Sequence, residues 1–131
     1  MYHQKFTNRA ETVVRLAQEA AAQLGHGHVG SEHILLALTR EGNGIAARAL
    51  TGFGVRADRV ETLIVDNIGR GQAGKLTPQG LTPRTKRIIE VAMAEAMRRG
   101  HTYIGTEHLL MGIIRSRTVS PRRSLARWAW N

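Results

Sequence analysis

Val29-Gly-Ser-Glu-His-Ile-Leu35 returns later in the chain as Ile104-Gly-Thr-Glu-His-Leu-Leu110. The same spacing relates Thr7-Asn-Arg9 to Thr82-Pro-Arg84, Gly25-His26 to Gly100-His101, and Arg40 to Arg115. A single offset of 75 residues, held without a gap from Thr7/Thr82 to Arg40/Arg115, marks a tandem duplication. Such a repeat sets the fold and is read before any local element.

Each copy reads as a long helix followed by a shorter one. Phe6, Ala10, Val13, Val14, Ala17, Ala21 and Leu24 recur at three- and four-residue steps, one face of a helix. Thr7 is placed to cap that helix and Gly25 to stop it. Ile88, Ile89, Ala92 and Ala96 repeat the face in copy two, between a Thr82 cap and Gly100, with Pro83 at the first helical position. Both second helices open on Gly-Ser/Thr-Glu, at Gly30-Ser31-Glu32 and Gly105-Thr106-Glu107. The hydroxyl is expected to cap, and the carboxylate to face the positive end of the helix dipole. Copy one continues through a third helix, Gly44 to Phe53, closed by Gly54, and a fourth from Asp58 to Ile68. Copy two is expected to lack both, because residues 116–131 match nothing in copy one.

Composition narrows the classes. Aromatics make up 5% of the 131 residues, so the core is built from small and aliphatic side chains, which suits packed helices. There is no cysteine and hence no disulfide or thiolate metal site. No apolar run reaches the roughly 18 residues that span a bilayer, and the chain is expected to be soluble and cytoplasmic. Residues 115–131 hold five arginines and no acid, so +5 of the net +9 charge sits at that end. This tail, with Trp128 and Trp130, offers the alternative of a small basic nucleic-acid-associated protein, or of a degenerate gene fragment. The tail stands in place of sequence the repeat would need, so nucleic acid is not the expected partner. Gly69-Arg-Gly-Gln-Ala-Gly-Lys75 has phosphate-loop spacing, but Leu76 stands where a Mg²⁺-binding hydroxyl belongs and Pro78 breaks the helix that should follow. The stretch reads as a linker. His26, His28 and His33 lack the spacing of a zinc motif, and four of the histidines recur by duplication, as packing histidines would. No catalytic residue, metal or cofactor is expected.

Phe6-Thr7-x-Arg9-Ala10, the block Leu24–Leu36 and Glu41-Gly42-x-Gly44-x-Ala46-Ala47 resemble the first repeat of the N-terminal domain of ClpC-type unfoldases. Gly69-Arg-Gly-Gln72 is similar to that family's inter-repeat linker. Leu81-Thr82-Pro83-Arg84-x-Lys86 and Gly100-His101-x-Tyr103-Ile104-Gly105-Thr106-Glu107-His108 resemble its second repeat. The resemblance covers residues 5–115. It implies an all-α, pseudo-twofold domain made of a tandem four-helix motif, here with the second repeat incomplete: repeat one 5–68, linker 69–81, repeat two 82–115, tail 116–131. It further implies a non-catalytic receiver of substrate proteins and adaptors beside a hexameric Clp ATPase and its protease, able to hold phosphoarginine. The acids at the positions of Glu32 and Glu107 take the guanidinium there. Thr7, Ser31, Thr82 and Thr106 join them as ligand-binding candidates, and Tyr2, Leu81, Lys86 and Glu90 as candidates for a peptide-binding face. Self-association through the incomplete second repeat is a further expectation.

Overall fold

The computed structural model describes residues 5–69 and 80–116. Copy one supplies β1 (Lys5–Phe6), α1 (Asn8–Gln23), α2 (Ser31–Glu41), α3 (Ile45–Gly52) and α4 (Ala57–Asn67). Copy two supplies α5 (Pro83–Arg98), β2 (Tyr103–Ile104) and α6 (Thr106–Ser116). The bounds of α1 and α5, and of α2 and α6, differ by the same offset that relates Thr7 to Thr82. Tyr2, the linker residues 70–79 with their phosphate-loop spacing, and the tail 117–131 lie outside the described residues.

The long helices begin as their sequences dictate. Thr7 Oγ1 accepts the Ala10 N–H at 3.1 Å and Thr82 Oγ1 the Thr85 N–H at 3.1 Å, each satisfying one orphan donor of a first turn. Pro83 follows its cap, where its missing N–H costs nothing. The expected apolar faces are the buried ones: Ala10, Val13, Ala17 and Ala21 on α1, Ile88, Ala92 and Ala96 on α5. Gly25 and Gly100 reverse the chain at φ +75° and +76°, a backbone that only glycine adopts without strain.

The centre of the domain is α2. Its residues His33 to Leu38 are all buried, because α1, α3, α4, α5 and α6 all pack against it. A helix apolar on every side has no other place. The α1·α2 pair of copy one and the α5·α6 pair of copy two then meet across the pseudo-twofold axis.

Two short backbone pairings lock the copies together, and neither was expected from sequence. Phe6 pairs in parallel with Ile104, while Val29 forms a parallel bridge with Leu81. These are one interaction seen twice: Thr7 N–H donates to Ile104 O at 3.0 Å, and Thr82 N–H to Val29 O at 3.0 Å. Each copy's leading residues therefore belong, by hydrogen bonding, to the other copy. The four chemically equivalent positions exchange partners across the axis.

The copies also differ. Arg40 reaches Glu61 on α4 at 2.7 Å. Its counterpart Arg115 instead meets Glu95 on α5 at 2.5 Å, a buried carboxylate that also takes Arg98 at 2.6 Å and stands where copy one has Ala20.

Candidate functional site

The strand exchange places the start of α1 beside the start of α6. Thr7, Asn8 and Arg9 form one wall of a cleft of about 470 Å³, and Tyr103, Gly105, Thr106 and Glu107 form another. The third wall is the start of α3, with Asn43, Gly44, Ile45 and Arg48. Three helix N-termini thus open on one space, each with first-turn N–H groups that its own helix leaves unpaired.

Thr106 corrects an expectation. Neither it nor Ser31 caps its own helix: the N-cap of α2 is Gly30, which has no side chain to offer, and the α6 turn is closed through Gly105 O. The Thr106 hydroxyl instead accepts the Ala46 N–H at 3.3 Å and so caps α3 from the other copy. Gly44 is required by this approach, since a Cβ there would lie 2.6 Å from Thr106 Oγ1. Glu41 completes the corner, accepting Gly44 N–H at 2.7 Å and meeting Arg9 at 3.3 Å.

The geometry of the helix starts is set by histidines. His33 Nδ1 accepts the Gly30 N–H at 2.8 Å, the reciprocal half of a capping box with histidine as the acceptor. That bond leaves the proton of the neutral ring on Nε2, which faces His26 Nδ1 at 2.8 Å; His26 Nε2–H is then free to donate to Gly69 O, also at 2.8 Å. One tautomer satisfies the whole chain of bonds. Copy two repeats it, with Gly105 N–H to His108 Nδ1 at 2.8 Å and His108 Nε2 to His101 Nδ1 at 2.9 Å. Tyr103 stacks on His101 with ring centres 5.0 Å apart, carrying this rigidity into the cleft wall. Burial holds the His33 ring down to about 4, Glu32 opposing and His26 assisting; His108 is likewise lowered, chiefly by burial.

His26, Glu32 and His33 bring three potential ligand atoms within 4.8 Å of one another. Their hydrogen bonds argue against a cation. A ligating histidine ordinarily donates its second N–H outward, whereas His33 Nδ1 accepts from Gly30. Metal at Nε2 would require an imidazolate or the loss of that bond.

The two acids named from sequence sit at equivalent positions. Glu32 and Glu107 are half-buried in the first turns of α2 and α6, and neither forms an ion pair among the described residues. Each carboxylate folds back over the preceding glycine: a Cβ on Gly30 would lie 2.7 Å from Glu32 Oε1, and one on Gly105 2.5 Å from Glu107 Oε1. The glycines make room for the carboxylates.

The six ligand-binding candidates fall into two sets, each drawn from both copies. Thr7 joins Thr106 and Glu107 in the cleft, while the Thr82–Val29 hydrogen bond brings Thr82 to the strand that leads into Ser31 and Glu32. Leu81 is held in that same pairing, and Lys86 and Glu90 are exposed one turn apart on α5. Arg48 and Tyr103 were missed. Arg48 lies beyond the block that ends at the Arg40/Arg115 pair, and Tyr103 stands where copy one has His28. Arg9 was legible as the counterpart of Arg84 but was not taken for a wall residue.

The model of the Clp repeat N-terminal domain matches residues 5–126. The chain belongs to the Clp repeat domain family. It is 50% identical over 111 residues to the negative regulator of genetic competence ClpC/MecB of Bacillus subtilis, and 46% identical over 113 residues to the chaperone protein ClpB of Oceanobacillus iheyensis. Each match covers 85% of this chain but 14% of the relative, so the chain spans about one seventh of those proteins. Two solved structures share the Clp N-terminal fold at low identity. The N-terminal domain of ClpD from Arabidopsis thaliana superposes with a TM-score of 0.69 at 23% identity, covering 83% of this chain and 75% of that one. The Hsp104 N-terminal domain from Candida albicans gives 0.68 at 14%, covering 88% and 77%. Among the described residues no helix is long and apolar enough to cross a membrane.

Proposed function

We propose that this Clp repeat domain is a non-catalytic binding module that receives segments of substrate or adaptor proteins for a Clp ATPase in the cytoplasm, and that its clefts hold a phosphorylated arginine side chain. The observation that carries the reading is the cleft at the start of α6: the Glu107 carboxylate, in no ion pair among the described residues, on a space walled by Arg9, Arg48 and two further helix N-termini.

Phosphoarginine is planar and cationic in character at its guanidino group and anionic at its phosphoryl group. Glu107 offers the fork of acceptors that a guanidino group pairs with. Helix N-terminal N–H groups and the Arg48 guanidinium favour the phosphoryl oxygens. Tyr103 gives an aromatic wall for the aliphatic stem. The cluster of Thr82, Ser31 and Glu32 repeats the carboxylate and the paired helix starts by symmetry, with His28 in place of Tyr103 and no counterpart of the α3 wall among the described residues, which supports a second, simpler site.

Calorimetry with a phosphoarginine peptide is the direct test. Loss of a charged hydrogen-bonding partner costs about 1.5–3 kcal/mol, so Glu107→Ala and Glu32→Ala should each weaken their site by roughly 10- to 150-fold. A folded protein that yields no heat at millimolar peptide, or that binds the unphosphorylated peptide equally, sinks the proposal.

Gly105→Ala tests the geometry apart from the charge. Its backbone is not in the left-handed region, so the added methyl forces the Glu107 carboxylate away and little else. Stability should fall by about 1 kcal/mol, as for alanine at an N-cap, while binding at that cleft falls as far as in Glu107→Ala. Binding unchanged in Gly105→Ala would show that the folded-back carboxylate is not the recognising conformation.

A further inference from the structure

We propose that Glu41 is the positioning residue of the cleft at the start of α6 and sets its selectivity for the phosphorylated over the unmodified arginine side chain, an inference that rests on the reading of that cleft given above. Glu41 closes α2 and does not line the cleft, and its side chain is 4% exposed. A carboxylate so far out of water needs partners for its oxygens, and here the two oxygens take different ones. Oε1 accepts the N–H groups of Asn43 at 3.2 Å and Gly44 at 2.7 Å. Oε2 takes the Arg9 guanidinium at 3.3 Å.

Those partners belong to two walls of the cleft. Gly44 is the N-cap of α3, so the Oε1 bonds fix the start of the helix that carries Arg48 one turn further on. The Oε2 bond fixes Arg9, which gives one N–H donor to Glu41 and keeps others for an oxyanion. Both arginines that line the cleft are thus set by one anion that stays outside it. An arginine left to swing in water must be ordered by its ligand, and that cost comes out of the affinity. Glu107 suits the guanidino end of the ligand, and Arg9 and Arg48 suit the phosphoryl end. Glu41 therefore acts on the phosphoryl half alone.

Copy two supplies the contrast. Arg84 corresponds to Arg9, and Ser116 to Glu41. The Ser116 hydroxyl donates to Ile113 O of its own helix at 3.2 Å, and Arg84 is exposed. The start of α2 has the carboxylate of Glu32 without an acid at the anchoring position. The arrangement belongs to one cleft.

Glu41→Gln divides the two functions of the side chain. Its amide oxygen can still accept from Asn43 and Gly44, while its NH₂ group faces Arg9 and releases it. The Glu32→Ala form leaves the cleft at α6 as the single site. In that form Glu41→Gln should weaken a phosphoarginine peptide by at least about tenfold, the worth of one charge-assisted hydrogen bond. Binding of the unmodified arginine peptide should not change. Adding Glu41→Gln to Arg9→Gln should cost nothing more, because the two residues act as a unit. Without any ligand, the Arg9 Nε–H followed by ¹⁵N NMR should exchange slowly with water in the parent chain and fast in Glu41→Gln. Unchanged affinity, equal losses for both peptides, or additive losses with Arg9→Gln would each overturn the proposal. So would an Arg9 signal that exchanges fast in the parent chain, whether or not a peptide binds. A parent chain with a protected Arg9 that binds no phosphoarginine peptide would instead overturn the reading of the cleft itself, and the selectivity with it.

Discussion

Between pH 6.5 and pH 4 the domain is expected to lose about 3 kcal/mol of stability through His33 alone. The unfolded chain takes up its proton near pH 6.5, whereas the buried folded ring holds out to about 4. Each unit of that difference is worth about 1.4 kcal/mol. The folded state binds fewer protons than the unfolded one throughout the window. Stability is therefore full above pH 6.5, falls as the pH drops, and stops falling on this account below about 4, where both states are charged. The cause is visible in the hydrogen bonds: a protonated His33 would point Nδ1–H at the Gly30 N–H that it now accepts from. His108 adds a loss of the same sign through its bond to Gly105. Denaturant unfolding from pH 7.5 to 4 measures the slope. His33→Gln keeps an acceptor for Gly30 but does not titrate, so it should flatten the dependence whatever its own stability. An undiminished slope in that variant would remove His33 as the cause.

Gly112→Ala is expected to destabilise the domain by up to about 2 kcal/mol, and the melting temperature should fall by roughly 4 °C for each kcal/mol. Helices α5 and α6 approach so closely at this point that an added Cβ would press on the carbonyl oxygen of Ile88. That atom is backbone within a helix and cannot swing aside, so the pair must separate. Overpacking of this kind costs about 1–3 kcal/mol, of which alanine's better helix propensity returns about 1 kcal/mol. Copy one has Ala37 at the equivalent position, so its pair of helices has already accommodated the methyl. Gly52→Ala is the control, because nothing lies within 4 Å of a Cβ there and that variant should be neutral or slightly stabilising. Equal melting of Gly112→Ala and the parent chain would refute the close approach.

Much of the fold was legible because it rests on side-chain chemistry that repeats. The offset relating Thr7 to Thr82, the caps at those threonines, the stops at Gly25 and Gly100, and the buried faces of α1 and α5 all follow from local pattern. The third helix was placed correctly, yet two of its large apolar residues, Ile45 and Phe53, are exposed. Periodicity identifies the helix but not how wide a stripe its neighbours cover.

The candidate site was legible in its residues and not in their grouping. Glu32 and Glu107 announced themselves by recurrence. That Thr7 would meet Glu107, and Thr82 the start of α2, depends on two-residue backbone pairings made by main-chain atoms. Such pairings leave no side-chain signature. Thr106 was misread for a related reason. Its local context suggests a cap for its own helix, but tertiary packing turned its hydroxyl toward α3.

The paired bridges Phe6–Ile104 and Val29–Leu81 carry a consequence for ancestry and for engineering. Because each copy donates its leading residues to the other, the contact is self-complementary in the manner of a twofold dimer interface. A protein holding one repeat alone could close both bridges only with a second molecule. Joining two such repeats in one gene makes that association independent of concentration. It also frees the halves to diverge, so that one could acquire Glu95 and Gly112 while the other kept Ala20 and Ala37. The two helix starts at Ser31 and Thr106, equivalent by symmetry, are then able to take on different surroundings within a single chain.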